Sequence, residues 1–350
     1  MAQNEERIQR QYEDAKAVYA GFGVDTDEAL AEFRRIPLSL HCWQGDDVKG
    51  FEDVGDVASQ NLVTGQYPGA ARNGDELRAD MDMAFRLSPC RHRVNLHSMY
   101  AEPKTPTPRN KLTTEDFRRW IEWAKANGYG LDFNASFFTH PMMADGFSLA
   151  SRRREVRDYW VEAGKGAREI AADMGRELGT PCINNIWVPD GLKDMPANRL
   201  LYREHLRESL DRIFEKRLDR SLMRDVLEGK VFGIGTESFT VGSHEFYLAY
   251  AAGHHVGICM DTGHYHPTEN VADKLSAVVP LIDDVLLHIS RGLRWDSDHV
   301  VLYDDETRQI AQEIIRSDVR RIRIATDYFD ASINRIAAWV IGVRSVQKAL

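Results

Sequence analysis

The stretch VGICMDTGH, residues 256–264, is an apolar run that ends in a carboxylate, a glycine and an imidazole. A short apolar run of this kind predicts a buried strand. Three other segments also carry acidic residues beside an apolar run: Glu237 lies in TES, Asp296 and Asp298 lie in WDSDH, and Asp327 follows IRIAT. This recurrence predicts parallel strands whose carboxyl ends meet at one site.

Eight candidate strands alternate with helical patterns along the chain, after two helices predicted at about 3–20 and 26–35. The candidate strands cover residues 37–43, 92–100, 130–137, 182–187, 230–238, 256–264, 285–290 and 322–328. Such alternation predicts a closed (β/α)8 barrel, or TIM barrel, with its active site at the carboxyl ends of the strands. We expect one catalytic domain over residues 1–350, with N-terminal helices in 1–36 and the barrel in 37–350.

Composition narrows the classes of partner. The 350 residues are 43% hydrophobic and 28% charged, which is typical of a folded enzyme domain. The formal net charge of -9 argues against nucleic acid and anionic membranes as main partners, and no segment approaches the roughly 20 apolar residues that a membrane span needs. Cys42, Cys90, Cys182 and Cys259 have no CxxC spacing, so we predict free thiols and a cytoplasmic protein.

A long irregular stretch, residues 44–72, follows the first strand and is rich in glycine and aspartate. Its length exceeds that of an ordinary connection, which is typical of a substrate lid. A surface loop without a role fits the same length. Both interpretations stay open at this point.

The carboxylates near the strand ends predict a two-metal site. Five of them belong to the last four strands: Glu237, Asp261, Asp296, Asp298 and Asp327. Asp296 and Asp298 are two residues apart, so on extended backbone they point the same way. Gly263 allows a sharp turn that brings Asp261 and His264 together. Two divalent cations would offset four of the five charges, and oxygen ligands with imidazole but no thiolate favour Mn²⁺, Mg²⁺ or Co²⁺.

Several of the candidate ligands could also have a structural role without a metal. A lone Asp after a strand often caps a helix, and Asp261 or Asp298 fits that role. His288, inside VLLHIS, is as readily a core histidine bonded to the backbone as a ligand. Helix caps do not explain why histidines accompany the carboxylates at consecutive strand ends, so a metal site is favoured.

Aromatic and imidazole side chains follow the first four strands: His41, Trp43, His97, Phe137, His140 and Trp187. Rings that pack on a polyol, with imidazoles that reach its hydroxyls, are typical of a sugar pocket, although Trp43 and Trp187 would also suit core packing. A metal-dependent hydrolase or phosphodiesterase would use similar ligands, but phosphate binding calls for basic residues where this chain has aromatics. A sugar-binding protein without activity has no need of the clustered carboxylates.

Long segments of the chain resemble L-rhamnose isomerases. They are LHCWQGDDVKGFE (40–52), EWAKANGYGLDFNASFFTHP (122–141), NNIWVPDGLKD (184–194), FGIGTESFTVGSHEFY (232–247), MDTGHYHPTE (260–269), LLHISRGLRWDSDHVVLYDDET (286–307) and DYFDASINRIAAWVIG (327–342). The resemblance implies a TIM barrel that converts L-rhamnose to L-rhamnulose in rhamnose catabolism. It also implies a homotetramer with two divalent cations per subunit, Mn²⁺ first, with Mg²⁺, Co²⁺ or Zn²⁺ as substitutes.

By motif, the resemblance assigns two sets of metal ligands and a sugar pocket. The catalytic metal takes His264, Asp296 and Asp298. The companion metal takes Glu237, Asp261, His288 and Asp327, and Asp261 is available to both. His97 corresponds to a histidine that contacts the sugar. The predicted substrate-binding residues are His41, Trp43, His97, Phe137, Trp187 and Lys193.

The expected reaction moves hydrogen between C2 and C1 of the sugar as hydride. The predicted catalytic residues are Asp296, Asp327 and His97. A metal-bound water or hydroxide, oriented by Asp296, Asp298 or Asp327, is expected to carry the hydroxyl proton. A carboxylate that binds a metal is a poor base, which argues against an enediol route. His97 has no assigned metal, so it is the residue that could support that alternative route.

The chain departs from the family pattern in two places. Related sugar isomerases have a lysine two residues after the metal-binding glutamate, where this chain has Phe239, and Lys193 is the candidate replacement. Family members also continue beyond the segment that ends here at RSVQKAL (344–350). We therefore expect a C-terminally truncated chain whose C-terminal extension is missing.

Overall fold

The computed structural model describes residues 2–43, 50–52, 69–143, 145–231, 236–292, 298–329 and 334–350. The strands in these ranges are β1 (Pro37–His41), β2 (Arg91–His97), β3 (Gly130–Asn134), β4 (Cys182–Trp187), β5 (Gly191–Leu192), β6 (Met223–Glu228), β7 (Phe239–Thr240), β8 (Gly257–Asp261), β9 (Val285–Ile289) and β10 (Ile322–Thr326). The helices are α1 (Ala2–Ala20), α2 (Thr26–Phe33), α3 (Gly74–Arg86), α4 (Arg118–Asn127), α5 (Arg154–Leu178), α6 (Arg199–Ile213), α7 (His244–His254), α8 (Val271–Val278), α9 (Asp305–Ser317) and α10 (Arg335–Ala349).

The longer strands close into a parallel barrel in the order β1, β2, β3, β4, β6, β8, β9, β10. The pair Leu40↔Thr326 joins β1 to β10 and completes the ring. β5 and β7 form a short antiparallel ribbon outside it. The predicted (β/α)8 barrel is confirmed, and because its strands are parallel, their carboxyl ends lie together at one mouth.

Seven of the eight predicted strands overlap a barrel strand. The one predicted at 230–238 overlaps none of the eight, and its residues 232–235 lie outside the described residues. The barrel strand in this part of the chain is β6, Met223–Glu228, which ends before residue 230. Its apolar content is small, because only Val226 and Leu227 stand between charged residues. The run VFGIG, residues 231–235, is more apolar than β6, and the strand was predicted there instead.

A small apolar layer fills the inside of the barrel. Its buried members are Ile183, Val226, Cys259, Leu286 and Ala325, which form a cluster separate from the main core between strands and helices. Side chains two apart on a strand share a face. Val226 precedes Glu228 by two residues and Cys259 precedes Asp261 by two, so this layer lies directly beneath the acidic residues of the mouth.

Ion pairs occupy the opposite end of the barrel. Arg93 donates to Asp132 with 2.7 Å between Nη2 and Oδ1, and Ser39 Oγ donates to the same carboxylate at 2.8 Å. Arg224 pairs with Asp284 just below β9. These buried charges are partnered within the protein, which is the condition for their burial at moderate cost.

The two predicted N-terminal helices are present as α1 and α2, and they form a hairpin. Tyr12 Oη lies 3.1 Å from Thr26 Oγ1, and Tyr12 and Lys16 also contact Asp27. α2 contains no buried residue. Among the described helices, none has the length and apolarity needed to cross a bilayer.

Candidate metal and sugar site

Three carboxylates surround one buried imidazole at the mouth of the barrel. Nδ1 of His288, on β9, lies 3.6 Å from Oε1 of Glu228, 3.6 Å from Oδ2 of Asp261 and 3.3 Å from Oδ2 of Asp327. Glu228 and Asp261 are the last residues of β6 and β8, and Asp327 directly follows β10. The parallel barrel thus brings together residues that are up to 99 positions apart in the chain, counted from 228 to 327.

A second acidic group shares Asp261 with the first. It contains Asp261, His264 and Asp298, and His264 Nε2 lies 3.5 Å from Asp298 Oδ2. The Ser290 hydroxyl lies between the two carboxylates, 2.7 Å from Asp261 Oδ1 and 3.2 Å from Asp298 Oδ1. A side chain at Gly263 would collide with Asp298 and Ser290, so the turn predicted here requires glycine for space.

Burial and charge act against each other in the first group. Burial disfavours the charged form of His288, but neighbouring Cys259 and Glu228 outweigh it and hold the pKa of His288 well above its usual value. Burial would likewise raise the pKa of Asp327, but His41 and His288 lower it to about 2. Glu228 and Asp327 therefore keep ionised oxygens in this buried group, whereas burial raises the pKa of Asp261.

The donor atoms fit divalent cations. In each group one donor atom per residue can be chosen so that all lie within 4.8 Å of one another. Ligand atoms lie about 2.0–2.2 Å from a small divalent cation, so donors on opposite sides are about 4 Å apart. Both ring nitrogens of His288 and Oδ2 of Asp261 have no hydrogen-bond partner within the described residues. Buried polar atoms need partners, and a cation would supply one.

Aromatic rings and two histidines form a wall beside the acidic groups. His97 lies 4.2 Å from the Trp43 ring and 5.7 Å from the Phe138 ring, measured between centroids. Trp187 packs against Phe138 at 5.1 Å and stacks on His264 at 6.2 Å. The wall therefore adjoins both a carboxylate group and a predicted metal ligand.

Two members of the wall contact Asp327 directly. Trp43 donates from Nε1 to Asp327 Oδ1 at 2.7 Å, and His41 Nε2 lies 3.2 Å from Asp327 Oδ2. Burial lowers the pKa of His41 to about 4 and that of His97 well below its usual value. Both imidazoles are therefore neutral near pH 7 and can accept or donate one hydrogen bond at each nitrogen according to tautomer.

Phe137, predicted to bind substrate, points away from this wall. Its ring packs on Trp160 of α5 at 5.7 Å. The adjacent Phe138 makes the contacts with Trp43, His97 and Trp187. Phe138 therefore replaces Phe137 as the candidate wall residue. The sequence alone does not show which of two consecutive rings faces the mouth of the barrel.

Glu237, predicted as a metal ligand, is exposed and stands outside both acidic groups. The buried glutamate is Glu228, which is 2% exposed and accepts a hydrogen bond from Asn185 Nδ2. Sequence reasoning missed Glu228 because its strand was misplaced. The physical reason is that β6 ends at Glu228, so this residue, and not Glu237, projects from the end of β6 into the mouth.

Relocating the glutamate also removes one apparent departure from the family pattern. Lys230 stands two residues after Glu228, in the sequence EGK, which is the spacing expected for the lysine. Its Nζ lies 5.3 Å from the Trp187 ring centroid. Lys193, the predicted replacement, is exposed beside the β5–β7 ribbon. The EGK spacing was the signal by which the sequence could have identified both residues.

The structure thus brings together five of the seven predicted metal ligands: Asp261, His264, His288, Asp298 and Asp327. Asp296, predicted both as a ligand and as a catalytic residue, lies outside the described residues, as does most of the predicted lid, 44–72. His140 is half-buried and its Nε2 lies 3.1 Å from Tyr159 Oη, behind the wall.

The chain matches known proteins over nearly its whole length. A family model described as L-rhamnose isomerase (RhaA) matches residues 6–350. An L-rhamnose isomerase of Escherichia coli O17:K52:H18 is 51% identical over 346 residues, which cover 98% of this chain and 83% of the relative. An L-rhamnose isomerase of Klebsiella pneumoniae has the same identity and the same coverage. A solved D-allulose 3-epimerase from Methylomonas sp. is 13% identical with a TM-score of 0.55, over 91% of this chain and 99% of the other, and shares the fold.

Proposed function

Because the chain belongs to the L-rhamnose isomerase family, we propose that its barrel mouth interconverts the aldose L-rhamnose and the ketose L-rhamnulose. The observation that carries this proposal is the pair of buried acidic groups that share Asp261 and adjoin an aromatic wall. An aldose–ketose isomerase needs charge stabilisation at two adjacent sugar oxygens and a pocket closed to water. The mouth offers both features side by side.

We further propose that each acidic group holds one divalent cation, with Mn²⁺ as the physiological ion. Glu228, Asp261, His288 and Asp327 would hold one, and Asp261, His264 and Asp298 would belong to the other. Asp296 is proposed to complete the second set. A bound cation would polarise the sugar oxygens as a Lewis acid. Carboxylate and imidazole donors support Mn²⁺, Mg²⁺ or Co²⁺ over a structural zinc.

The aromatic wall is proposed to orient the sugar and to exclude water from it. Trp43, Phe138 and Trp187 offer an apolar surface suited to the methyl group of a 6-deoxy sugar. His97 offers Nε2 to a sugar hydroxyl, since this buried atom has no hydrogen-bond partner among the described side chains and backbone. Lys230, with its ammonium beside Trp187, is placed to donate to a sugar oxygen. We assign these residues to substrate binding.

We propose that hydrogen moves within the sugar as hydride. The O2 hydroxyl loses its proton, the C2 hydrogen moves with its electron pair to C1, and O1 takes up a proton to give the ketose. Asp327 orients a water that carries the proton between the oxygens. The carboxylates of the mouth are engaged as ligands, and burial keeps water from the moving hydrogen.

Isotope transfer tests the route. The protein loaded with Mn²⁺ is given L-rhamnose deuterated at C2, and the product is analysed by NMR. Retention of most deuterium at C1 supports the hydride shift. Complete loss of the label to solvent would mean proton transfer through an enediol. The same assay on His97→Asn then tells whether His97 is the base, because washout would slow in that variant.

Three finer proposals accompany this function. The four cysteines are all unpaired, which is typical of a reducing compartment and supports action in the cytoplasm. There the reaction would open rhamnose catabolism. We also propose a homotetramer, which sedimentation or light scattering tests directly.

A further inference from the structure

A buried arginine organises the chain just after β3. Arg109 is 3% exposed, and its guanidinium contacts three backbone carbonyls of this segment. It donates to Ser136 O, to Phe138 O at 2.6 Å and to Thr139 O at 3.3 Å. Its remaining hydrogen bonds go to the carboxylate of Glu52. All five N–H groups of a guanidinium are thereby used.

The segment held by Arg109 has an unusual backbone. Ser136 and Thr139 adopt left-handed conformations, with φ of 55° and 49°. A left-handed residue other than glycine costs free energy and persists only where its surroundings enforce it. The hydrogen bonds from the Arg109 guanidinium help to hold these conformations. Ser136 N also donates to Asn134 Oδ1 at 2.8 Å. Such enforced conformations cluster at functional sites.

The enforced turn directs one hydroxyl at the sugar wall. Ser136 is fully buried, and its Oγ lies 3.1 Å from Nδ1 of His97. The other nitrogen of His97, Nε2, is the one assigned above to the sugar. A serine hydroxyl donates to Nδ1 or accepts from it according to the tautomer, so this hydrogen bond holds the orientation of the ring in either tautomer.

We propose that Ser136, held in place by Arg109, is a positioning residue that fixes the ring orientation of His97 toward the sugar. The inference rests on the proposed function for its kinetic consequences, and on the geometry alone for its effect on His97. The same support sets Phe138 in the wall, because Arg109 holds the carbonyls of both residues. One arginine therefore couples Glu52, beyond β1, to the substrate wall after β3.

The test compares Ser136→Ala with Ser98→Ala. Both remove a buried hydroxyl, but Ser98 donates to Ala135 O at 2.6 Å and does not contact His97 through its side chain. A lost hydrogen bond changes binding by about ten-fold, so we expect KM for L-rhamnose to rise about ten-fold in Ser136→Ala, with kcat nearly unchanged. Ser98→Ala should keep the wild-type KM. Equal KM changes in the two variants would overturn the proposal.

A second measurement is independent of turnover. In protein labelled with ¹⁵N-histidine, the ring nitrogen resonances report the hydrogen bond at each nitrogen, and His97→Asn identifies those of His97. Ser136→Ala removes the hydrogen bond at Nδ1 and should shift the Nδ1 resonance of His97, and an unchanged resonance would overturn the proposal. If the wild-type protein fails to isomerise any aldose, the proposed function falls, whereas this measurement still decides the role of Ser136.

Arg109→Lys keeps the charge but loses the fork. If Arg109 acts through Ser136, the double variant with Ser136→Ala should raise KM no more than about two-fold beyond the larger single effect, since coupled residues are not additive. If the KM increase of the double variant equals the product of the two single increases, Arg109 acts independently of Ser136. That result would contradict the proposed coupling between Arg109 and Ser136. Circular dichroism confirms that the compared variants are folded.

Discussion

Nδ1 of His264 lies 3.1 Å from Oε1 of Glu228, and this contact joins the two acidic groups of the barrel mouth. Glu228 is the last residue of β6, and His264 lies in the turn after β8. A change at Glu228 therefore reaches both groups. Glu228 is the residue at which the sequence-based assignment and the structure differ most.

Glu228→Gln should abolish isomerase activity and weaken Mn²⁺ binding by about 100-fold or more, since even residues that only orient ligands contribute about 10–100-fold. The matched control is Glu237→Gln, which changes an exposed carboxylate outside the groups. It should keep both activity and affinity. Isothermal titration with Mn²⁺ and an aldose assay check the pair, and loss of binding in Glu237→Gln alone would contradict the assignment.

Removal of metal should lower both activity and stability. The buried carboxylates repel one another without cations, and an ion that binds only the native state stabilises it by about 2.7 kcal/mol at 100 times its Kd. We expect EDTA to abolish turnover and lower Tm, and Mn²⁺ to restore both. Calorimetry on dialysed and reloaded protein measures the effect. An unchanged Tm and full activity in metal-free protein would remove the central claim.

Lys230→Met should lower kcat/KM by about 10–100-fold, the usual value of a hydrogen bond from a charged donor. Methionine keeps much of the apolar stem that lies beside Trp187. Lys193→Met is the control, because Lys193 is exposed. Steady-state kinetics with L-rhamnose distinguish the two lysines, and a larger loss in Lys193→Met would restore the sequence-based choice.

Substitutions at the two adjacent phenylalanines should have different effects, one on stability and the other on substrate binding. Phe137→Ala should reduce the free energy of unfolding by about 3–5 kcal/mol, because it leaves a cavity against Trp160. Phe138→Ala should chiefly raise KM for L-rhamnose, because it opens the wall. Urea unfolding and kinetics on both variants measure the two effects. A reversed pattern would return Phe137 to the substrate pocket.

His140 should contribute to acid sensitivity. Burial, with Arg109 nearby, lowers the pKa of His140 to about 3. The unfolded chain binds this proton more readily, so stability is complete above the unfolded pKa near 6.5 and falls as pH drops toward 3, by up to about 1.4 kcal/mol per pH unit. His140→Gln should flatten this slope between pH 6.5 and 4 in urea unfolding. A variant with the wild-type slope would exclude His140 as a source.

The alternation of strands and helices could be predicted because parallel strands buried on both faces are apolar runs. β4, Cys182–Trp187, was predicted to the residue. β6 was missed because a strand with two apolar residues between charges carries a weak local signal. Its burial depends on pairing with β4 and β8, and such long-range pairing is not written in the segment itself.

The candidate site was predictable where a ligand directly follows an apolar run, as at Asp261 and Asp327. The choice between Phe137 and Phe138 was not, because the loop after β3 is held by residues distant in the sequence, such as Arg109, which donates to Ser136 O from 27 positions away. Contacts of that kind decide which way a loop residue turns. The EGK spacing at Lys230 was readable from the sequence once the glutamate had been placed correctly.

The five apolar residues inside the barrel separate two electrically different compartments. Above Ile183, Val226, Cys259, Leu286 and Ala325 lie the acidic groups, and below them lie the arginine pairs of the amino end. This apolar layer separates the carboxylates of the mouth from arginines that already have carboxylate partners at the amino end of the barrel. Substitutions among these ion pairs should therefore change the stability of the barrel more than the charge of its mouth.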